Sequence, residues 1–233
     1  MLTIQELFTL ENTIAAPLFA GKQYPWEVLA DIEGFILELG KTLPMDEFHH
    51  PADASGKPVE NIWIANDATV YPSAFIKGPC IIDHGAELRH SAFVRGNAIV
   101  GKKTVVGNSV ELKNVVLFDN CEVPHFNYVG DSVLGFHAHM GAGSITSNVR
   151  ADRALVTVHD HASGKGEEEV FTNRKKVGAF LGDYAEIGCN AVLNPGTVVG
   201  PHSQVYPTSC VRGTVPSDNI FTNTGEIRPR RED

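Results

Sequence analysis

A hydrophobic residue falls on every sixth position from Ile64 to Phe118: Ile64, Val70, Ile76, Ile82, Leu88, Val94, Val100, Val106, Leu112 and Phe118. Four residues after most of these anchors stands a small residue: Ala68, Ala74, Cys80, Ala86, Ala92, Ala98 and Thr104. A second run in a new phase follows, with Leu181, Ile187, Leu193, Val199, Val205 and Val211 as anchors and Ala185, Ala191, Thr197, Ser203 and Ser209 in the small slot. This period is neither that of a helix nor that of an alternating strand, and it predicts a β-solenoid. Each hexad supplies a short strand and a turn, and three hexads close one triangular coil. The anchor points inward and the small residue sits where the corner narrows. No single coil can bury its apolar face, so stacked neighbours supply the core. Residues eighteen apart then lie one above the other on the same face.

The flanks carry different patterns. Val28, Leu29, Ile32, Phe35, Ile36 and Leu39 follow helical spacing between Pro25 and Gly40, which predicts a helix. Its expected place is across the first coil, shielding the open end. Residues 46–60 read as a polar linker, so residues 1–60 form a helical cap and linker and residues 61–218 the solenoid. One interruption, residues 150–176, predicts a projecting flap: Leu155, Val156 and Val158 alternate, Gly164 and Gly166 mark a turn, and Val170 and Thr172 suggest a return strand. The acidic run Glu167, Glu168 and Glu169 reads as a solvated edge of it. The tail, residues 219–233, ends in Arg228, Arg230 and Arg231 and is expected to be mobile.

Charge narrows the choice of partners. A net charge of −9 over 233 residues argues against nucleic acid and acidic membrane surfaces. No apolar stretch approaches the length of a membrane span, and the first residues lack a signal-peptide pattern, so the expected location is cytoplasmic. The four cysteines, Cys80, Cys121, Cys189 and Cys210, form no CxxC pair and read as reduced packing residues.

The candidate chemistry lies between the two repeat runs, where polar and aromatic residues are expected to replace the anchors: Val110–Lys113, Pro124–Asp131 and Gly141–Asn148. Arg95 and Lys113 are eighteen apart, so both should project from one face at adjacent levels. Two stacked cations repel unless an anion lies between them, and phosphate suits that arrangement. His125, twelve residues beyond Lys113, can exchange protons near neutral pH.

These residues and spacings resemble the hexapeptide-repeat acyltransferases, and specifically the acetyltransferase half of the bifunctional N-acetylglucosamine-1-phosphate uridylyltransferase/glucosamine-1-phosphate acetyltransferase. Arg95, Lys113, His125 and Tyr128, then Gly130-Asp131 and Gly-Ala-Gly-Ser-Ile-Thr-Ser-Asn148, stand at that family's spacings. The flap and the string from Lys175 to Asp183 look more like the archaeal sugar-1-phosphate nucleotidylyltransferases with a fused acetyltransferase domain. The resemblance covers about residues 62–215 and implies a left-handed parallel β-helix. It also implies a homotrimer with sites between subunits, and acetyl-CoA as co-substrate. His125 would be the general base, and Arg95, Lys113, Tyr128 and His139 would bind an amino-sugar 1-phosphate. Ala142, Asn148, Cys189 and Pro207 would line the donor end, with no metal.

Departures from the family pattern accompany the match. His139 replaces a sugar-contacting Asn, Cys189 replaces a Ser near the pantetheine arm, and no Arg near Asn223 matches the one that helps bind coenzyme A. A nucleotidylyltransferase half does not fit into the residues before the repeats, so nucleotidylyl transfer is not expected of this chain. A separate nucleotidylyltransferase subunit is a possible partner. Two other readings stand beside the acetyltransferase: a non-catalytic protein that binds a sugar phosphate or nucleotide sugar, and a zinc solenoid needing three converging histidines, hinted at by His84 and His90. His137 and His139 alternate and are expected to share a face; His159 and His161 are expected in the flap, facing solvent.

Overall fold

The computed structural model describes residues 1–160 and 168–230, and in it the repeats wind into a left-handed parallel β-helix of triangular coils. On the first face Ile62 pairs with Cys80 and Cys80 with Ala98, steps of eighteen as the hexads predict. The coil then tightens: Ala98 pairs with Val115 and Val115 with Ser132, steps of seventeen. Val133 pairs with Phe180, a step of forty-seven that contains the inserted hairpin, in which Thr157–Asp160 runs antiparallel to Glu168–Phe171. His161, Gly164, Gly166, Glu167 and Arg231 lie outside the described residues.

The shortened coils correct the reading of the middle stretch. The anchors do not give way there. Leu112, Leu117, Val123, Val129, Leu134 and Met140 are all 0% exposed, spaced five or six apart so that each still faces inward. Leu117, not Phe118, pairs with Val100. Phe118 instead sits at the corner level with Gly101 and packs its ring on Phe8 and Phe19, with centroids 5.1 and 5.6 Å away. The tight corners need left-handed backbone, which Asn and Asp tolerate better than most residues. Asn97, Asn114 and Asp131 take it at successive levels of the third corner, with φ of 53°, 54° and 50°.

The N-terminal segment does not cap the open end. It runs along the outside of the first face, from the late coils back to the first. Asp183 N donates to Leu7 O at 3.0 Å, Asp119 N to Asn12 O at 3.0 Å, and Asn114 Nδ2 to Leu29 O at 3.1 Å. The segment opens on one α-helical turn, Ile4–Leu7, continues in short 3-10 turns and ends in the α-helix Ile32–Gly40, which packs on the early coils. The reason lies in the residue just before each anchor on this face. Trp63, Ile81, Ile99, Val116, Val133, Phe180 and Val198 point outward, yet none is more than 5% exposed. Covering such side chains contributes about 1.5–3 kcal/mol each. Val70 and Ile76 in the first coil stay only partly buried, as expected at an end no helix covers. Phe48–His49 instead pairs antiparallel with Ile64–Ala65, occupying the edge of the first coil.

At the far end the coil runs past its expected limit. Asn219–Phe221 includes a parallel rung on Gln204–Val205, and Ile227–Pro229 folds back antiparallel on it. The described part of the tail, as far as Arg230, is therefore tied down: Arg230 donates from N to Asp218 O at 2.7 Å and from its guanidinium to His202 O at 3.0 Å.

Candidate functional site

The site residues sort onto two corners that flank the third face. At the second corner His125, Ala142, Cys189 and Pro207 stand one above another in successive coils. His125 pairs with Asn108 below it. Gly143 N donates to His125 O at 3.0 Å, Asn190 N to Ala142 O at 2.8 Å, and Thr208 N to Cys189 O at 2.8 Å, the rungs that hold the column in register. With about 4.8 Å per coil, Pro207 lies about 14 Å along the edge from His125.

Backbone around His125 is fixed from inside. Buried Asn127 accepts His125 N at 3.0 Å and donates to Gly141 O at 2.9 Å and Ser144 O at 3.0 Å. The imidazole itself is exposed and has no hydrogen-bond partner among the described residues. Of the amides between Gly141 and Gly143, Gly141 N is used by Ile187 O and Gly143 N by His125 O. Ala142 N–H has no partner among the described residues, and neither has Cys189 N–H one coil further along the column, so both are donors left for a ligand at this corner.

The third corner carries Arg95 and Lys113, one coil apart: Leu112 pairs with Val94, which sets Lys113 beside Arg95. An external anion is not what keeps these cations apart. Arg95 donates to Glu111 Oε1 at 2.6 Å, and Lys113 Nζ to Asp131 at 2.9 and 3.1 Å. Asp131, only 2% exposed, is a hub that sequence reasoning gave no role. It also accepts Asn114 Nδ2 at 3.0 Å and Asn148 Nδ2 at 2.6 Å. Its signal was the eighteen-residue step from Lys113 to a carboxylate.

Tyr128 lies on the third face between the corners and receives Asn148 Nδ2 at 3.1 Å on its hydroxyl oxygen. Burial first, then Asp131 and Glu111, push its phenol pKa up, so it stays protonated and can donate. Asn148 thus joins the cation corner and not the His125 column with Ala142, Cys189 and Pro207, nor does it adopt the left-handed backbone of a corner residue.

His139 also lies apart from Tyr128. It projects from the second face, where Nδ1 meets Glu186 Oε2 at 2.8 Å. That hydrogen bond raises its pKa against the opposing effect of desolvation. With Gly141, Glu186, Cys189, Tyr206 and Pro207 it lines a cavity of about 280 Å³ beside the His125 column. His137 does not share that face; it turns at the first corner and stacks on Tyr184 at 5.2 Å. His84 pairs with Asp67 and His90 packs on Tyr71, so the two histidines of the zinc reading are held separately. Among the described residues no group of three His, Cys, Asp or Glu could hold a metal, and no helix is long and apolar enough to cross a membrane.

The family described as GMPPB C-terminal domain matches residues 76–177. A bifunctional sugar-1-phosphate nucleotidylyltransferase/acetyltransferase of Sulfurisphaera tokodaii is 29% identical over 94% of this chain and 56% of its own length. A bifunctional protein GlmU of Methanococcus maripaludis is 32% identical over 88% of this chain and 47% of its own. The chain therefore spans about half the length of the curated relatives it matches. Among solved structures, the polySia-specific acetyltransferase NeuO covers 78% of this chain and 88% of its own at 14% identity and a TM-score of 0.46. The chain is a hexapeptide-repeat left-handed β-helix protein that resembles the acetyltransferase domain of the GlmU-type and archaeal bifunctional sugar-1-phosphate nucleotidylyltransferase/acetyltransferases.

Proposed function

We infer that the protein is an acetyl-CoA-dependent N-acetyltransferase acting on an amino-sugar 1-phosphate. The observation that carries this reading is the column His125, Ala142, Cys189 and Pro207 along one corner, set across one face from Arg95 and Lys113. Three strand residues span about 10 Å, so a sugar phosphate laid over Tyr128 reaches both corners. Its phosphate meets Arg95 and Lys113, drawing them from Glu111 and Asp131, and its amine meets His125. The acetyl donor lies along the column with its thioester near Ala142.

In the reaction His125 accepts a proton from the amine as the nitrogen lone pair attacks the thioester carbonyl. The new C–N bond forms a tetrahedral oxyanion, to which Ala142 N–H donates. Collapse breaks the C–S bond, and the coenzyme A thiolate takes up a proton, leaving the amide. Binding across one rigid face supplies the orientation that makes the attack effectively intramolecular. A homotrimer fits the third face, whose outward column includes Phe75, 64% exposed, Phe93, Ile145 and Val192.

A second reading, a non-catalytic sugar-phosphate binder, is favoured by one observation: His139, at the position where the family has a sugar-contacting Asn, lies apart from Tyr128 and is held by Glu186. Release of free coenzyme A with glucosamine 1-phosphate or galactosamine 1-phosphate, compared between the native protein and His125→Ala, decides between them. Sugar-dependent release that disappears in the variant supports the enzyme. No release, with both sugars still raising the melting temperature, supports the binder.

A further inference from the structure

Phe126 directly follows His125 at the second corner and precedes the third-face strand that begins with Tyr128. It is 63% exposed, and its ring meets no other ring among the described residues. Its backbone lies in the left-handed region, with φ of 53°, a conformation that is strained for a bulky side chain.

The rest of the corner shows what the fold alone selects in that slot. Ser109 N donates to His90 O at 3.0 Å, Phe126 N to Asn108 O at 2.9 Å and Gly143 N to His125 O at 3.0 Å, so Ser109, Phe126 and Gly143 occupy successive levels. Asn190 and Thr208 continue the column, and all five are left-handed, with φ between 53° and 74°. Four of them are glycine or small polar residues. Ser109 below carries only a hydroxymethyl and Gly143 above has no side chain, so neither level covers the Phe126 ring. A phenyl group here adds backbone strain and gains little burial within the chain. Strain kept where the fold does not need it points to function.

We propose that Phe126 is an acceptor-binding residue whose ring packs against the C–H face of the amino-sugar ring. On the acetyltransferase reading, on which this assignment rests, the sugar lies over Tyr128 with its amine at His125, and Phe126 stands between the two. Removing the apolar face of the pyranose and the exposed ring from water together favours binding. The sugar ring itself, and not only its phosphate and amine, is then selected.

Titration calorimetry on the full chain tests this with glucosamine 1-phosphate and, as a probe without a ring, inorganic phosphate. Phe126→Gly suits the left-handed backbone and should keep the melting temperature. It should weaken glucosamine 1-phosphate binding about tenfold and leave phosphate binding unchanged. Phe126→Tyr should bind the sugar like the native chain. In coenzyme A release, Phe126→Gly should raise KM for the sugar phosphate and not KM for acetyl-CoA. Release by the native chain with sugar affinity and KM unaltered in Phe126→Gly overturns the role of Phe126 and leaves the acetyltransferase. Ring-dependent sugar binding without release by the native chain supports Phe126 and removes the acetyltransferase. Equal losses for sugar phosphate and phosphate, a smaller assembly in sedimentation of Phe126→Gly, or no sugar binding by the native chain each overturn the proposal.

Discussion

Lys113 and Asp131 lie eighteen residues apart in the chain and meet at 2.9 Å across one coil step, the carboxylate buried and the ammonium partly in solvent. Asp131 also holds Asn114 and Asn148, so the pair fixes the cation corner. Lys113→Ala leaves that carboxylate without its charged partner and should destabilise the fold by about 3 kcal/mol. Lys113→Ala/Asp131→Asn should recover part of the loss. Urea midpoints of the three proteins read this directly, and equal midpoints would remove the structural role of the pair.

His125→Ala should leave the melting temperature unchanged, because the imidazole is exposed and makes no internal hydrogen bond among the described residues. The acetyl-transfer rate should drop by about 100-fold or more, as loss of a general base implies. A parallel loss of stability would show instead that His125 supports the corner.

Glu186 raises the pKa of His139 above its ordinary 6.5. For a group raised on folding, the added stability is fully present below the unfolded pKa and is lost as pH rises through the folded one. The contribution should therefore be present at about pH 5.5 and absent well above neutrality. In Glu186→Gln the His139 resonance should titrate at lower pH than in the native chain. An unchanged NMR titration would mean that the pair does not persist in solution.

Gly40 and Gly34 belong to the same helix and should respond oppositely to alanine. A Cβ on Gly40 would lie 2.4 Å from the ring of Trp63, whereas none of the surroundings comes within 4 Å of one on Gly34. Helix propensity favours alanine by about 1 kcal/mol at either position. At Gly34 that gain should appear almost whole. At Gly40 the overlap should outweigh it, with a net loss of about 1–3 kcal/mol. Chemical denaturation of the two variants checks the sign of each.

Cys189 and Cys210 are exposed, while Cys80 and Cys121 are buried and burial pushes the Cys80 thiol up to about 12. A maleimide should therefore label Cys189 and Cys210 alone in the folded protein. With acetyl-CoA laid along the His125 column as proposed, it should slow labelling at Cys189 but not at Cys210. Mass spectrometry of the labelled peptides would expose a misplaced donor if both were protected.

The anchors from Ile64 to Leu112 were legible because one physical constraint, an inward residue on each side of a triangle, repeats without exception. The seventeen-residue coils were not, since losing one residue at a corner shifts the phase and lets Phe118 pass for an anchor that Leu117 provides. The family resemblance named His125, Ala142, Cys189 and Pro207 one by one, but their stacking in a single column follows only from the coil lengths. The side position of the N-terminal segment was legible but unread. Trp63, Ile81 and Ile99 recur every eighteen residues on the outward side of one face, and an outward apolar row announces a cover. Asp131 was missed because a carboxylate beside a cation reads as solvated surface until its burial is known.

A stack of coils touching only their neighbours is free to fray from either end, one coil at a time. The N-terminal segment removes that freedom. Its hydrogen bonds reach Asp183 near one end and its last helix reaches Trp63 at the other, so loosening a coil at either end strips contacts from the segment that grips the rest. Amides in the first coil and in the late coils should accordingly exchange with solvent as one cooperative unit.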